Sequence, residues 1–166
     1  ADNVLDRQFS PQAPNQAWGT DITYLWTHEG WIYLAVVIDL YSRRVVGWSM
    51  DRRMTKALVI RALLMAINLR QPPPGLIHHS DRGSQFCSHK YVGRLQERDL
   101  PVSMTEINHC AENSVAERLN GILKQEYGLG RTFLTRKQAR RAIDEAVWLY
   151  NNRRPHSKLD YRIPSE

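Results

Sequence analysis

The chain has little of what marks secreted, membrane-spanning or zinc-stapled proteins. Its 166 residues include two cysteines, Cys87 and Cys110. Neither stands in a CxxC pair, so a structural zinc site or a disulfide-stapled secreted fold is a poor fit. His78, His79, His89 and His109 lie near the cysteines in sequence, at spacings that match no common zinc pattern. No apolar run is long enough to span a bilayer, and the first residues carry no signal-peptide pattern. These absences point to a reducing cytoplasm. No Ser, Cys or Tyr has the neighbours of an activated nucleophile, and there is no internal repeat. What remains is an ordinary globular composition, 42% hydrophobic and 24% charged, in a length that suits one domain with a real core.

The charge balance is informative. Formal net charge is +6 and the pI is near 9.6, which favours an acidic partner, nucleic acid being the usual candidate and a merely basic, well-solvated surface the ordinary alternative. From Arg131 to Glu166 there are nine Lys/Arg against four Asp/Glu, a net of +5, so most of the excess lies in the last fifth of the chain. A basic tail beside an acidic site suits phosphodiester chemistry, with the tail holding phosphates.

Residues 1–14 are polar and contain Ser10-Pro11-Gln12-Ala13-Pro14, so they read as a leader or linker. Strands are expected over Ala17–Trp26, Trp31–Leu40 and Val45–Met50, joined by short turns into an antiparallel meander. The second is apolar almost throughout, as a strand buried on both faces would be. Thr55 is placed to cap a helix running to about Leu69, with Leu58, Ala62, Met65 and Leu69 on its buried face. A short strand over Leu76–His79 leads to Ser80-Asp81. A helix from Ser88 to about Arg98, a strand over Pro101–Met104 and a polar loop over 105–113 follow. Two helices close the chain, about 114–127 and 136–152, the second after the capping pattern Thr135-x-x-Gln138. The order β-β-β-α-β-α-β-α-α predicts an α/β domain with a five-stranded mixed sheet and helices on both faces. Trp18, Trp31, Trp48 and Trp148 are expected in the core.

Three acids stand at unusual places. Asp21 lies inside an apolar strand, Asp81 ends one, and Glu117 opens a helix. A carboxylate in such surroundings is costly unless a cation holds it, and a hard divalent metal prefers oxygen ligands. On the helix, Val115, Leu119, Ile122 and Leu123 share one arc at about 100° per residue, opposite Glu117, Gly121 and Lys124. Each acid also has an ordinary reading. Ser114-x-x-Glu117 is a capping box, Ser80-Asp81-Arg82-Gly83 is turn chemistry, and Asp21 suits a water-facing edge strand. Asp39 reads as a turn residue contacting Ser42 or Arg43. Glu112 is a further acid, able to exchange roles with Glu117.

Spacing and local strings decide between these readings, with thirty-five residues between Asp81 and Glu117. The strings are Trp18-Gly19-Thr20-Asp21-Ile22-Thr23-Tyr24, the run from Tyr33 to Trp48 containing Ile38-Asp39-Leu40-Tyr41-Ser42-Arg43, His79-Ser80-Asp81-Arg82-Gly83-Ser84-Gln85, Ala111-Glu112-Asn113-Ser114-Val115-Ala116-Glu117-Arg118, and Tyr150-Asn151-Asn152-Arg153-Arg154-Pro155-His156. Together they resemble the integrase-like core of DDE transposases from bacterial insertion sequences of family three, over nearly the whole chain. Where Glu112 stands, that family usually has Asp.

The resemblance implies a ribonuclease-H-like fold over residues 15–166, cut from a longer protein whose DNA-reading module is missing here. It implies Asp21, Asp81 and Glu117 as catalytic carboxylates holding two Mg²⁺ or Mn²⁺ ions, with Asp21 shared between them. It also implies double-stranded DNA as substrate, at transposon ends and target, a homo-oligomer that brings two ends together, and a place in the bacterial cytoplasm beside the nucleoid. Lys124 matches the family's basic position on the Glu117 helix. Arg118, Arg136, Lys137, Arg140 and Arg141 are candidates for phosphate contact, as are Arg153 and Arg154, in a polar cluster with Asn152 and His156. Gln85 and Asn113 flank the acids. Two rivals share the acids or the fold: a ribonuclease-H-like endonuclease without strand transfer, and a non-catalytic DNA-binding module.

Overall fold

The computed structural model describes residues 13–72, 76–80, 102–104, 114–155, 159 and 162–165. The expected helix over 88–98, the loop over 105–113 and most of the leader lie outside the described residues. The described elements are β1 (Ala17–Thr27), β2 (Gly30–Asp39), β3 (Val45–Asp51), α1 (Lys56–Arg70), β4 (Ile77–Ser80), β5 (Val102–Met104), α2 (Ser114–Glu126) and α3 (Arg136–Arg153).

The first three strands form the expected meander. β1 and β2 pair antiparallel from Trp18↔Asp39 to Thr27↔Gly30. The hairpin turns on His28 and Glu29, with Thr27 Oγ1 donating to the Gly30 carbonyl at 2.8 Å. Gly30 has φ +118°, a conformation that favours glycine. β2 is interior and wholly buried from Leu34 to Asp39, which accounts for its unbroken apolar run. β4 adds to the other edge of β1 in parallel, pairing with Ala17–Gly19 among the described residues. β5 pairs parallel to β4, so the five strands lie in the order β3-β2-β1-β4-β5.

Helices cover both faces. On one, α2 and α3 pack Leu119, Leu123, Ile143 and Tyr150 against Leu25, Leu34, Val36 and Ile38. On the other, α1 packs Leu58, Leu63 and Ile67 against Trp18, Ala35, Val37 and Val46. Its close approach depends on Gly47, where a Cβ would lie 2.2 Å from the Ala62 carbonyl oxygen. Thr55 stands at the N-cap of α1 without a side-chain cap bond. Thr135 does cap α3, accepting from the Gln138 N–H at 3.1 Å.

Two burial expectations fail. Leu69 is 50% exposed, because α1 docks on the Val59, Ala62, Leu63 and Ala66 side and turns its last apolar residue to solvent. Trp31 and Trp148 are 42% and 52% exposed. Trp31 lies near the hairpin tip, among other exposed rings, and Trp148 on the outer side of α3. Trp18 is fully buried.

Candidate active site

Asp21 lies mid-way along β1, the central strand, and not on the edge strand that its ordinary reading required. Its partner comes from α2: Asn120 Nδ2 donates to Asp21 Oδ2 at 3.0 Å. Two small residues let the helix come this close. A Cβ built on Gly19 would lie 3.8 Å from the Ala116 Cβ, so neither side chain holds α2 away from β1. One helical turn later Asn120 reaches Asp21. Glu117 lies between these two contacts, in the first turn of α2, and is exposed. Residues three apart on a helix are surface neighbours, about 5–6 Å between Cβ atoms. Glu117 is therefore adjacent to the residue that grips Asp21.

The donor set is hard and oxygen-rich. Asn120 is 6% exposed, and its Oδ1 is buried without a hydrogen-bond partner. An orphaned carbonyl oxygen is costly in a protein interior. Beside a carboxylate, it is a donor of the kind that a divalent cation such as magnesium takes. The described residues therefore fit such an ion in chemical type. Among them there is no group of three His, Cys, Asp or Glu able to hold a metal ion. Asp81 lies outside the described residues, as do Gln85, Glu112, Asn113, Cys87, Cys110 and His156.

Asn120 was not singled out from sequence. The available signal was its place three residues after Glu117, as a lone polar residue between Leu119 and Leu123 of the buried stripe.

Asp39 is a structural carboxylate, fully buried. It accepts from the Ser42 hydroxyl at 2.7 Å, the Ser42 N–H at 3.2 Å and the Asn15 N–H at 3.2 Å, and faces Arg70 at 3.8 Å. The expected contact with Ser42 is present, and this network closes the turn between β2 and β3.

The basic candidates divide by what they touch. Lys124 Nζ lies 5.0 Å above the Tyr24 ring, beside β1 and three residues beyond Asp21. Arg118 is exposed on α2. Its charge adds to the lowering of the Arg43 pKa, which burial chiefly causes and which Tyr150 and Asp39 oppose. Arg136 donates its Nε–H to the Trp31 carbonyl at 3.0 Å and its backbone N–H to Glu29 at 2.7 Å, tying α3 to the hairpin. Lys137, Arg140 and Arg141 are exposed. Arg141 lines, with Arg131, Gln138 and Glu145, a surface cavity of about 400 Å³. Arg153 lies 5.6 Å from the centre of the Trp148 ring. Arg154 forms a two-pronged pair with Glu126 at 2.6 and 3.2 Å, clamping the ends of α2 and α3 together. That hydrogen bond raises the Arg154 pKa.

Comparison with known proteins agrees with this architecture. A family model described as "Integrase core domain" matches residues 11–110, and a second with the same description matches residues 98–164. The chain belongs to the integrase core domain family. It is 43% identical, over 99% of its length, to an insertion element IS600 uncharacterized 31 kDa protein of Shigella sonnei, of which it covers 61%. It is 44% identical, over 95% of its length, to the transposase InsF for insertion sequence IS3A of Escherichia coli K12, of which it covers 55%. The chain thus spans between half and two thirds of these relatives. Among solved structures, the HTLV-2 integrase catalytic core domain in complex with magnesium (dimeric form) superposes with a TM-score of 0.70 at 25% identity, covering 93% of this chain and 96% of that one. A chain of the simian T-cell lymphotropic virus intasome in complex with PP2A regulatory subunit B56 gamma has the same fold, with a TM-score of 0.74 at 22% identity over 89% of this chain and 52% of that one. The architecture is therefore that of the retroviral integrase cores, which are ribonuclease-H-like α/β domains.

Proposed function

We propose that this chain is the catalytic core of a DDE transposase. It cleaves phosphodiester bonds at the ends of a mobile DNA element and joins the freed ends to target DNA. Asp21, Asp81 and Glu117 are its catalytic carboxylates. The observation that carries this reading is the Asn120–Asp21 hydrogen bond, which brings the helix of Glu117 onto the strand of Asp21. Support for Asp81 comes from β4, which runs parallel to β1 with His79 opposite Gly19 and ends at Ser80, one residue before it in sequence. A transposase among the relatives and magnesium in the name of a solved neighbour support the same chemistry.

Phosphodiester cleavage without a catalyst is extremely slow, so the site must stabilise developing charge on both the attacking and the leaving oxygen. A pair of Mg²⁺ or Mn²⁺ ions held by the three carboxylates supplies Lewis acidity for that purpose. The chain's own residues do the positioning. Asn120 fixes the Asp21 carboxylate through one oxygen, and Glu117 approaches from the preceding turn of the same helix. Lys124 places a positive charge at the strand edge, where a backbone phosphate approaches, while Arg118, Lys137, Arg140 and Arg141 offer exposed charge along the helices. Water is the attacker in end cleavage and a DNA 3′-hydroxyl in joining. One set of carboxylates serves both, since only the nucleophile changes. Two ends must be joined together, so the working form is a homo-oligomer on DNA, in the bacterial cytoplasm.

The test is a joining assay with Mn²⁺. A labelled duplex carrying the element's terminal repeat, with its 3′-hydroxyl already exposed, is incubated with target plasmid. The wild-type chain is expected to join the two, and Asp21→Asn, Asp81→Asn and Glu117→Gln to lose roughly 100- to 1,000-fold or more of that activity while remaining folded. Cleavage without joining would support an endonuclease instead. DNA binding unchanged in every variant, with no chemistry in any, would support a binding module.

A further inference from the structure

The β1–β2 hairpin carries an aromatic face that the carboxylate site does not use. Tyr24 and Tyr33 are register partners, as are Trp26 and Trp31, so the four rings share one side of the sheet. It is the side that α1 covers lower down, where Tyr33 packs beside the buried cluster. Beyond the reach of α1 the rings are open, with Tyr24 53%, Trp26 44% and Trp31 42% exposed. They pack edge to face, Trp26 on Trp31 at 4.6 Å and Tyr24 on Trp31 at 4.8 Å between ring centres. In each edge-to-face pair one ring turns its edge to the other's face, so the contact covers only part of the ring surface.

Cations stand at both ends of this strip. Lys124 lies over Tyr24. Arg136 reaches the other end, where its Nε–H bonds the neutral Trp31 carbonyl. The nearby acid, Glu29, accepts the Arg136 backbone N–H, and no ion pair joins it to either cation among the described contacts. A protein-binding patch would also present aromatic rings with charge kept to its rim; what sets this strip apart is that the charge at both ends is positive, without a paired acid among the described contacts. Here open aromatic faces are bracketed by positive charge on a chain of net charge +6. That combination suits nucleic acid whose bases are unstacked, since each base offers a π-face to a ring and each phosphate a charge to a cation. A closed duplex presents no base faces except at its end.

The strip also lies at a useful distance. Tyr24 and Trp26 follow Asp21 by three and five positions on one strand, roughly 10 and 17 Å at about 3.3 Å per residue. At about 3.4 Å per stacked nucleotide, and more where bases are unstacked, that is within roughly five nucleotides of the carboxylate. Among the described residues β4 pairs with β1 only as far as Gly19. Lys124, from the helix on the active-site face, passes this edge to reach Tyr24. Lys124 therefore links the side of β1 that carries Asp21 to the aromatic side.

We propose that Tyr24, Trp26 and Trp31, with Lys124 and Arg136, form a stacking platform for unpaired nucleotides next to the cleaved DNA end. This placement rests on the transposase reading, whereas binding of single strands by the platform can be tested apart from it. The probe is fluorescein-labelled dT16, followed by anisotropy at low salt beside a blunt duplex of equal length. The single variants Trp26→Ala and Trp31→Ala are expected to weaken dT16 binding between about 5- and 100-fold and duplex binding by less than about twofold. Trp31→Phe, which keeps a π-face, should retain most of the dT16 affinity, and Trp31→Leu, which keeps only apolar bulk, should not. Thermal melts establish that each variant is folded. The platform is overturned if wild-type chain does not bind dT16, or if folded Trp26→Ala and Trp31→Ala bind it as wild type does. It is equally overturned if these changes alter only self-association in sedimentation velocity, which would make the face an interface between copies. Loss of dT16 binding in the Trp variants would uphold the platform whatever the outcome of the joining assay, so the two readings fail separately.

Discussion

Asn120 Nδ2 donates to Asp21 Oδ2 at 3.0 Å across 99 positions of sequence. This bond ties α2 to the centre of the sheet at the site. It also aims the carboxylate, and it leaves a buried amide oxygen unpaired beside it. Asn120→Ala is expected to raise the Mn²⁺ concentration needed for half-maximal joining by about 10- to 100-fold, the usual effect of removing a residue that orients a metal ligand. Joining assays across a Mn²⁺ titration check this. A structural role alone would lower melting temperature without moving the metal requirement.

Asp39 gives the opposite expectation. It is as buried as a carboxylate can be, yet its oxygens are taken by Ser42 and Asn15 and it faces Arg70. Asp39→Ala removes that network and takes the carboxylate from Arg70, whose side chain is 16% exposed and keeps a bond from Nε to Asn15 Oδ1 at 3.0 Å. The expected cost is about 3–5 kcal/mol by urea unfolding. The fraction that stays folded should keep its joining activity per molecule.

Gly47 sets the distance between β3 and α1. With the Ala62 carbonyl 2.2 Å from where a Cβ would stand, the backbone itself must move to admit a methyl group. Gly47→Ala is expected to destabilise the chain by about 1–3 kcal/mol in urea unfolding. It should leave Asp21 and Asn120, on β1 and α2, in contact.

The hairpin and meander were legible because their local signals agree. Runs rich in β-branched and aromatic residues, a turn at His28-Glu29-Gly30 and the Ser42-Arg43 corner all point the same way. Trp31 and Trp148 were misread because an apolar side chain is no guarantee of burial. Where α1 ends and where α3 turns outward decide it, and neither is local information. Asn120 was hidden for a related reason. A polar residue in an apolar stripe declares itself only when its partner is known, and Asp21 is far away in sequence. Leu69 shows the same limit, since helical spacing defines an apolar arc while docking chooses which side of it is covered.

Tyr150 links the core to pH. It is 1% exposed, and burial raises the pKa of its hydroxyl well above the ordinary tyrosine value, with Arg154 and Arg43 opposing. The fold therefore favours the neutral hydroxyl. Its contribution to stability is complete below about pH 10, the unfolded value. It then declines as pH rises toward the higher folded value, by at most about 1.4 kcal/mol per pH unit. Unfolding of Tyr150→Phe followed from pH 8 to pH 11 should show a shallower alkaline loss than wild type.

The most direct measurement is anomalous diffraction from a crystal soaked in Mn²⁺, recorded at the manganese edge. Density for manganese is expected within coordination distance of the Asp21 and Glu117 carboxylates, and it should disappear in Asp21→Asn. Manganese bound only elsewhere, or crystals saturated with Mn²⁺ that show none between β1 and α2, would contradict a metal-dependent carboxylate site there.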